Sequence, residues 1–408
     1  MKNNCNLKIK FNEKNICLNK ITVVSGVNGS GKSTVSRILY CFLKSMSPSI
    51  DEYILRKFVD EVNKFIKRFV NSNGNYDGMP LNDSFTIKNN YSTILNELYQ
   101  AKSIFFGIER DVGHHRTYYR NGTYALERIG ELINLIETKD EHSIFNKLNF
   151  LAFDEVVDLD ENINFQGDDF KFIPKNFEES YFNKEVLVSD VFYIDTISIL
   201  DLKVYGKTGL EHVNSLNYNL DFDIDKVKEL PDNVKNVLSK IEIITQGTYP
   251  APDIDNYVSK ERHPDNFGGN MVLPPDYIPS GIKQISVLWL LLANFKLQNG
   301  GFLLFDEPEV NLHPDWQFKF AEILVILAKE LDVKIYINSH SPMFIESINA
   351  FSEYYDMLDD VNYYLTEETD EGYNFTKIPS NKLYKIYNNL GNVYDKIDKL
   401  RLKKILGE

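Results

Sequence analysis

Short apolar runs near the N-terminus alternate with polar residues in the period expected of strands. Residues 7–11 alternate strictly, and residues 16–18 and 21–24 form two further short runs. Alternation of this kind is typical of a half-buried strand, so the pattern predicts two hairpin strands followed by a third, buried one. The first two strands are expected to form an antiparallel lobe. An amphipathic run after residue 34 predicts the first helix.

The last third of the chain has the clearest periodicity. Residues 285–297 are apolar almost all round a helix, which predicts a buried helix. Residues 302–305 and 333–337 are apolar runs of strand length, separated by a helical pattern over 315–330. Strands that alternate with helices in this way predict an α/β fold.

The middle of the chain is less regular. Residues 45–185 are rich in Tyr, Phe and Asn, and we interpret them as an α/β insertion within a single domain over residues 1–408. The patterns predict helices at 53–70 and 124–138, and a segment at 226–244 that is first helical and then extended. They also predict strands at 84–88, 103–108, 117–119 and 185–195, and a loop-rich stretch at 247–275.

A glycine-rich loop joins the third strand to the first helix. Residues 26–34 read GVNGSGKST, which matches the pattern Gly, four residues, Gly-Lys-Ser/Thr. Glycines let the backbone approach an anion closely, and the loop amides then point inward at the helix N-terminus. The motif therefore predicts an ATP site whose phosphate-binding residues are Asn28, Gly29, Ser30, Gly31, Lys32, Ser33 and Thr34. Lys32 would reach the β- and γ-phosphates, and the Ser33 hydroxyl would be a Mg²⁺ ligand.

Two carboxylates follow the apolar run at 302–305. Asp306 ends the predicted strand, and a carboxylate at that place beside a phosphate loop can hold Mg²⁺. Glu307 is the next residue, and we expect its side chain to point to the other face of the strand end and to polarise a water. An ordinary strand-to-loop exit is the alternative interpretation.

His340 follows the predicted strand at 333–337. A lone histidine is usually structural, but this one lies one strand–helix–strand unit after the carboxylates. That position would let it sense the γ-phosphate.

Composition excludes some classes of function. The chain has 408 residues and a formal charge of −14, which argues against a globally basic nucleic-acid binder. Three cysteines, all near the N-terminus, suggest reduced thiols in the cytoplasm. The N-terminus does not resemble a signal peptide, and no apolar run is long enough to cross a bilayer. We therefore expect a cytoplasmic protein with no membrane partner.

The motifs GVNGSGKST, PSGIKQ, FLLFDEPEVNLHPDWQ and INSHSP together resemble the ABC-type ATPase heads of the SMC/OLD group. More narrowly, they resemble the stand-alone ATPases of Septu-like anti-phage defence systems. The resemblance implies a P-loop head with a mixed sheet and an antiparallel N-terminal lobe. It also implies a head-to-head homodimer or higher homo-oligomer, in which PSGIKQ of one subunit closes over the nucleotide of the other.

The resemblance assigns roles by position. Lys32 and Ser33 bind phosphate and Mg²⁺, Asp306 is the Mg²⁺ carboxylate, Glu307 activates water and His340 is the switch histidine. The usual serine position of PSGIKQ holds Pro279, so Ser280 becomes the candidate hydroxyl beside Gly281. Because 68 residues follow His340 in this chain of 408, we expect it to lack the nuclease domain of OLD proteins.

Three functions are compatible with these residues. The first is an ATPase subunit of a prokaryotic defence complex that controls a separately encoded effector, for which a nuclease is one candidate. The second is a DNA-repair head that binds nucleic acid itself. The third is a transporter subunit, against which the PSGIKQ variant and the large insertion argue. A basic pattern at 396–405 is interpreted as a surface helix, with nucleic-acid contact as the alternative.

Overall fold

A computed structural model provides the structure of the protein. It describes residues 7–11, 14–50, 147–148, 151, 163–167, 170–173, 180–182, 188–195, 210–220, 230–245, 257–259, 271–273, 280–369 and 372–390. The chain divides into two compact units, of which one comprises Met1–Ser47 and Leu148–Glu408 and the other Pro48–Lys147. All the elements described below belong to the first unit.

Among the elements that the structure describes, strands and helices alternate one by one only in the last third of the chain, and the earlier strands come in runs. The strands are β1 (Leu7–Phe11), β2 (Lys14–Leu18), β3 (Ile21–Ser25), β4 (Ile163–Gln166), β5 (Phe170–Phe172), β6 (Tyr181–Phe182), β7 (Val191–Ile194), β8 (Tyr257–Ser259), β9 (Met271–Leu273), β10 (Phe302–Asp306), β11 (Lys334–Asn338), β12 (Val361–Thr369) and β13 (Gly372–Ile378). The helices are α1 (Lys32–Ser45), α2 (Glu211–Asn219), α3 (Asp232–Ile244), α4 (Ser280–Ala293), α5 (Pro314–Glu330) and α6 (Pro342–Tyr354).

Two larger sheets organise these elements. The first has the strand order β13-β12-β3-β11-β10-β7, and its strands are parallel except for β13, which pairs antiparallel with β12. The second sheet, β2-β1-β4-β5-β6, is antiparallel throughout. The protein therefore has a mixed α/β fold, and the predicted antiparallel N-terminal lobe is confirmed.

The central strands are buried on both faces, which explains why they read as continuous apolar runs. Leu303 and Phe305 belong to the core cluster that also contains α4, α5 and α6. Because side chains alternate along a strand, Leu304 and Asp306 point to the opposite face. Helix α1 contacts β7, β10 and β11, and Asn338 of β11 reaches its residue Ser36 on that opposite face.

Most of the predicted elements that fall within the described residues are present, with shifted ends. The strand predicted at 185–195 begins only at Val191, and helix α4 begins at Ser280 and ends at Ala293. The early end of α4 follows from Phe295, which takes a positive φ of 53° and turns the chain back. The loop-rich stretch at 247–275 contains the antiparallel pair β8–β9.

Several predictions lie outside the described residues. They are the helices at 53–70 and 124–138, the strands at 84–88, 103–108 and 117–119, and the basic helix at 396–405. The prediction of three reduced cysteines is wrong for Cys17, which is disulfide-bonded, whereas Cys41 is free and buried in α1.

Candidate functional site

The glycine loop joins β3 to α1 in a conformation that needs glycine. Gly26, Gly29 and Gly31 have φ values of 145°, 79° and 82°, which L side chains adopt only with strain. A Cβ on Gly26 would lie 1.7 Å from Oγ1 of Thr366, so a side chain there would also collide with β12. Gly31 is the N-cap of α1 and supplies no side-chain cap. The first amides of the helix are therefore available to an anion.

Lys32 is the first residue of α1, and its side chain folds back over the loop. Its Nζ donates to the carbonyl oxygens of Gly26 (3.1 Å) and Val27 (2.7 Å) and to Oγ of Ser30 (3.2 Å). Burial lowers the pKa of the Lys32 amine, while the charges of Asp306 and Glu307 act in the opposite direction. Ser33, the next residue, lines one cleft with Asp306 and Glu307, so the two predicted halves of the site are close together.

Most of the remaining loop residues are exposed, and one of them is buried. Asn28, Gly29, Gly31, Ser33 and Thr34 are exposed, whereas the Ser30 side chain is buried. Ser30 Oγ accepts a hydrogen bond from Thr366 (2.9 Å), which ties the loop to β12. Ser33 lines a cleft together with Asp306 and Glu307.

Asp306 is held by a hydrogen bond to each oxygen. Asn338 Nδ2 donates to Oδ1 (2.9 Å), and the Tyr193 hydroxyl donates to Oδ2 (3.2 Å). The strands that carry these two donors, β11 and β7, flank β10 on either side. The parallel arrangement thus fixes the orientation of the carboxylate, and sequence reasoning identified neither donor.

Glu307 does not point away from Asp306 as predicted. It takes a positive φ of 51°, and its backbone N–H donates to the Asn338 carbonyl oxygen (2.9 Å). This left-handed residue ends the strand and leaves both carboxylates lining one cleft. The expectation of opposite faces was wrong because it assumed that the regular alternation of a strand continues through residue 307.

His340 lies beside Glu307. Its Nε2 is 3.4 Å from Oε1 of Glu307. Burial lowers the pKa of His340 to about 4, and the Lys32 charge acts in the same direction while Asp306 acts against it. His340 is therefore neutral at physiological pH and can donate a hydrogen bond from one nitrogen while accepting at the other.

A third carboxylate faces the same cleft. Asp195 follows β7, and its Oδ1 lies 3.0 Å from Nε2 of the fully buried His212. Its Oδ2 lies 3.6 Å from a guanidinium nitrogen of Arg37. Burial by itself would raise the pKa of Asp195, but the hydrogen bond and charge of His212 and the charge of Arg37 outweigh it and lower the pKa. Sequence reasoning missed all three residues, and only the strand end at 195 offered a signal.

The cleft has a volume of about 400 Å³. It is lined by Ser33, Arg37, Ile194, Asp195, Gln284, Asp306, Glu307, Pro308, Val310 and Asn311. The predicted residues Ser280 and Gly281 are in the first turn of α4. Of the PSGIKQ segment, Gln284 reaches the cleft, where its Nε2 donates to the Pro308 carbonyl oxygen (2.7 Å).

The donor set fits a magnesium–triphosphate group. Open amides and Lys32 supply positive potential on one side of the cleft, and carboxylates lie on the other. Within the described residues, no three His, Cys, Asp or Glu side chains cluster tightly enough to hold a metal ion. Mg²⁺ is usually bound by one or two protein oxygens, with phosphate oxygens and water completing the shell. Ser33 and Asp306 are the residues that would hold it.

No helix among the described residues is both long and apolar enough to cross a bilayer.

Comparisons with solved structures gave weak similarities. The head of Smc bound to the C-terminal winged-helix domain of ScpA is 12% identical, with a TM-score of 0.38 over 91% of this chain and 97% of that one. The Smc head with an extended coiled coil bound to the C-terminal domain of ScpA from Pyrococcus furiosus is 12% identical, with a TM-score of 0.32 over 94% and 98%. The SMC head domain from Thermotoga maritima is 9% identical, with a TM-score of 0.35 over 91% and 97%. A comparison with curated proteins found no match.

A family comparison gave a match over most of the chain. The family described as AAA ATPase domain matches residues 5–345, a span that includes the glycine loop, both carboxylates and His340. The chain belongs to the AAA ATPase domain family.

Proposed function

We propose that this chain binds ATP with Mg²⁺ and hydrolyses it to ADP and phosphate. The observation that carries the proposal is the cleft that Ser33 lines together with Asp306 and Glu307, which are more than 270 positions away in the sequence. A phosphate-binding loop and a pair of carboxylates at one cleft are the two parts that phosphoryl transfer to water requires.

The glycine loop would bind the phosphates. In this proposal the backbone amides of residues 28–34 and the N-terminus of α1 surround the β-phosphate. Lys32 exchanges its contacts with loop carbonyls for phosphate oxygens, a charge-assisted interaction that is stronger than the neutral ones it replaces. The left-handed glycines support this role because they keep the loop open to an anion.

Ser33 and Asp306 would hold Mg²⁺, which when bound neutralises charge on the β- and γ-phosphates. The two hydrogen bonds from Tyr193 and Asn338 support this role of Asp306, since they fix the carboxylate before metal binding. Fixed groups lose little entropy on binding, so this arrangement favours metal affinity.

Glu307 would accept a proton from the attacking water. The water oxygen bonds to the γ-phosphorus while the bond from that phosphorus to the β–γ bridging oxygen breaks, which releases ADP. His340, neutral and 3.4 Å from Glu307, can donate a hydrogen bond to the γ-phosphate or to the glutamate. This pair supports hydrolysis rather than binding alone.

We further propose that the chain works as a single head over residues 1–408, with 45–185 as an insertion, and that it dimerises head to head. In that dimer Ser280 and Gly281 of one subunit would contact the nucleotide of the other, and the ATP cycle would control a separate effector in a defence complex. The support for these steps is the motif resemblance described above. The position of Ser280 at the start of α4, the helix that brings Gln284 to the cleft, is compatible with them.

The test compares wild-type protein with Glu307→Gln. We expect calorimetry to show ATP binding that depends on Mg²⁺ in both proteins, and phosphate release only in the wild type. With ATP, Glu307→Gln should elute from a size-exclusion column with light-scattering detection at twice the monomer mass. Absence of ATP binding in both proteins would overturn the ATPase proposal, and a monomer at saturating ATP would overturn the dimer.

A further inference from the structure

Glu309 is a buried carboxylate for which the proposed reaction has no role. It lies two residues after Glu307, and only 8% of its surface is exposed. We infer that Glu309 is a positioning residue that holds the loop carrying His340 against the loop carrying Glu307. This inference rests on the proposed function, because it concerns the geometry of the same pair.

One oxygen of Glu309 makes all the contacts to the histidine loop. Its Oε1 accepts from the backbone N–H of His340 (2.7 Å), the backbone N–H of Ser341 (3.0 Å) and Oγ of Ser339 (2.9 Å). Its Oε2 is buried and has no hydrogen-bond partner among the described residues. Three consecutive residues therefore converge on a single acceptor.

These bonds complete a second connection between the two loops. The first is at the edge of the sheet, where Asp306 pairs with Asn338 and the Glu307 N–H donates to the Asn338 carbonyl oxygen. Beyond that point the chains leave the sheet, and Glu309 reconnects them. The contact between His340 and Glu307 lies between these two connections. Both loops are therefore fixed on either side of this contact, which fixes the distance between the two side chains.

The cost of burying the carboxylate indicates that its contacts matter. Burial raises the pKa of Glu309, and the donors from residues 339–341 act against that rise. Burial of a polar acceptor is unfavourable unless donors satisfy it. Helix α6 does not require Glu309 for its start, since the Ser341 hydroxyl already caps it by accepting from the Phe344 N–H (3.2 Å).

A purely structural role is the alternative, and the variants are chosen to separate the two. Glu309→Ala removes the acceptor, and Glu309→Gln keeps an oxygen in the Oε1 position. Ile348→Val is the matched control, because Ile348 is fully buried in α6 and lies outside the site. Each variant is also combined with His340→Ala in the full-length chain.

The first measurement is steady-state ATP hydrolysis with Mg²⁺. We expect Glu309→Ala to lower kcat about tenfold or more, because the His340 N–H loses its acceptor and the Ser341 N–H keeps only the Ser339 hydroxyl (3.1 Å), while KM for ATP changes less than about threefold. Glu309→Gln should restore kcat to within about threefold of wild type. Adding Glu309→Ala to His340→Ala should cause little further loss, since a positioning effect requires the residue that is positioned.

The inference is overturned if Glu309→Ala hydrolyses ATP as fast as Ile348→Val, or if Glu309→Gln is as impaired as Glu309→Ala. It is also overturned if the effect of Glu309→Ala adds fully to that of His340→Ala.

A second measurement is independent of catalysis. Amide hydrogen exchange at His340 and Ser341 should be at least about tenfold faster in Glu309→Ala and unchanged in Ile348→Val. If wild-type protein does not hydrolyse ATP, the proposed function fails, and this exchange result still decides whether Glu309 fixes the loop.

Discussion

Asn338 connects three elements of the site, and its replacement by leucine should affect both stability and metal affinity. Its side chain is fully buried, and Nδ2 donates to Oδ1 of Asp306 (2.9 Å) and to Oγ of Ser36 (2.6 Å). Leucine has the same branching as asparagine but no donor. The substitution therefore leaves Asp306 with one of its two orienting hydrogen bonds and removes the link from β11 to α1.

The structure gives the expected size of the effect. A hydrogen bond to a charged acceptor contributes about 1.5–3 kcal/mol, and a neutral one about 0.5–1.5 kcal/mol. The two bonds of Asn338 together predict a loss of about 2–4.5 kcal/mol in the free energy of unfolding. Ser36→Ala removes the neutral bond to Asn338 and a longer bond to the Lys32 carbonyl oxygen (3.2 Å) but leaves the bond from Asn338 to Asp306, so its loss should be about 1–3 kcal/mol.

Urea denaturation of the three proteins without nucleotide measures these losses. A titration of ATP binding against Mg²⁺ concentration measures the metal effect, for which Asn338→Leu should need several times more Mg²⁺ than Ser36→Ala. An unfolding free energy for Asn338→Leu within about 0.5 kcal/mol of wild type, together with an unchanged Mg²⁺ requirement, would refute the claim that Asn338 orients Asp306.

Three further changes test other parts of the structure. Gly26→Ala should cost about 2–5 kcal/mol in urea denaturation, because a Cβ there meets Thr366 at 1.7 Å with φ at 145°; wild-type stability would contradict the loop geometry. The pKa of His340 is about 4 when folded and near 6.5 when unfolded, so the unfolded state binds more protons between these values. Stability should therefore fall as pH drops from about 6.5 towards 4, and His340→Gln should flatten that slope in urea titrations at several pH values. Asp195→Asn should lower the free energy of unfolding by about 1–3 kcal/mol, since His212 loses a carboxylate at 3.0 Å. Calorimetry measures this loss, and an unchanged free energy of unfolding would show that the pair of Asp195 and His212 is not stabilising.

The sequence indicated most of the central framework because its signals are local. The strand before the glycine loop, the loop itself and the apolar strand ending at Asp306 each follow from neighbouring residues. Helix α5 and strand β11 likewise lie where their periodicity places them, within a residue.

What sequence reasoning missed depends on contacts across strands. Tyr193 and Asn338 orient Asp306 only because β7 and β11 are the neighbours of β10, and strand order is not visible in a single sequence. The same holds for His212, which reaches Asp195 from a helix that has a short and weakly periodic sequence. The direction of the Glu307 side chain depends on the left-handed backbone conformation of Glu307 itself. A sequence does not indicate such a conformation at a residue other than glycine.

The central claim is that Ser33 and Asp306 bind one metal ion together with one nucleotide. A crystal structure of the Glu307→Gln variant grown with ATP and Mn²⁺ tests it directly, because the anomalous signal locates the metal. We predict one strong peak in the cleft, bonded to the Ser33 hydroxyl and to β- and γ-phosphate oxygens, with Asp306 bound to it directly or through one water. Nucleotide bound away from the glycine loop, or a metal peak without Asp306 in either shell, would contradict this account.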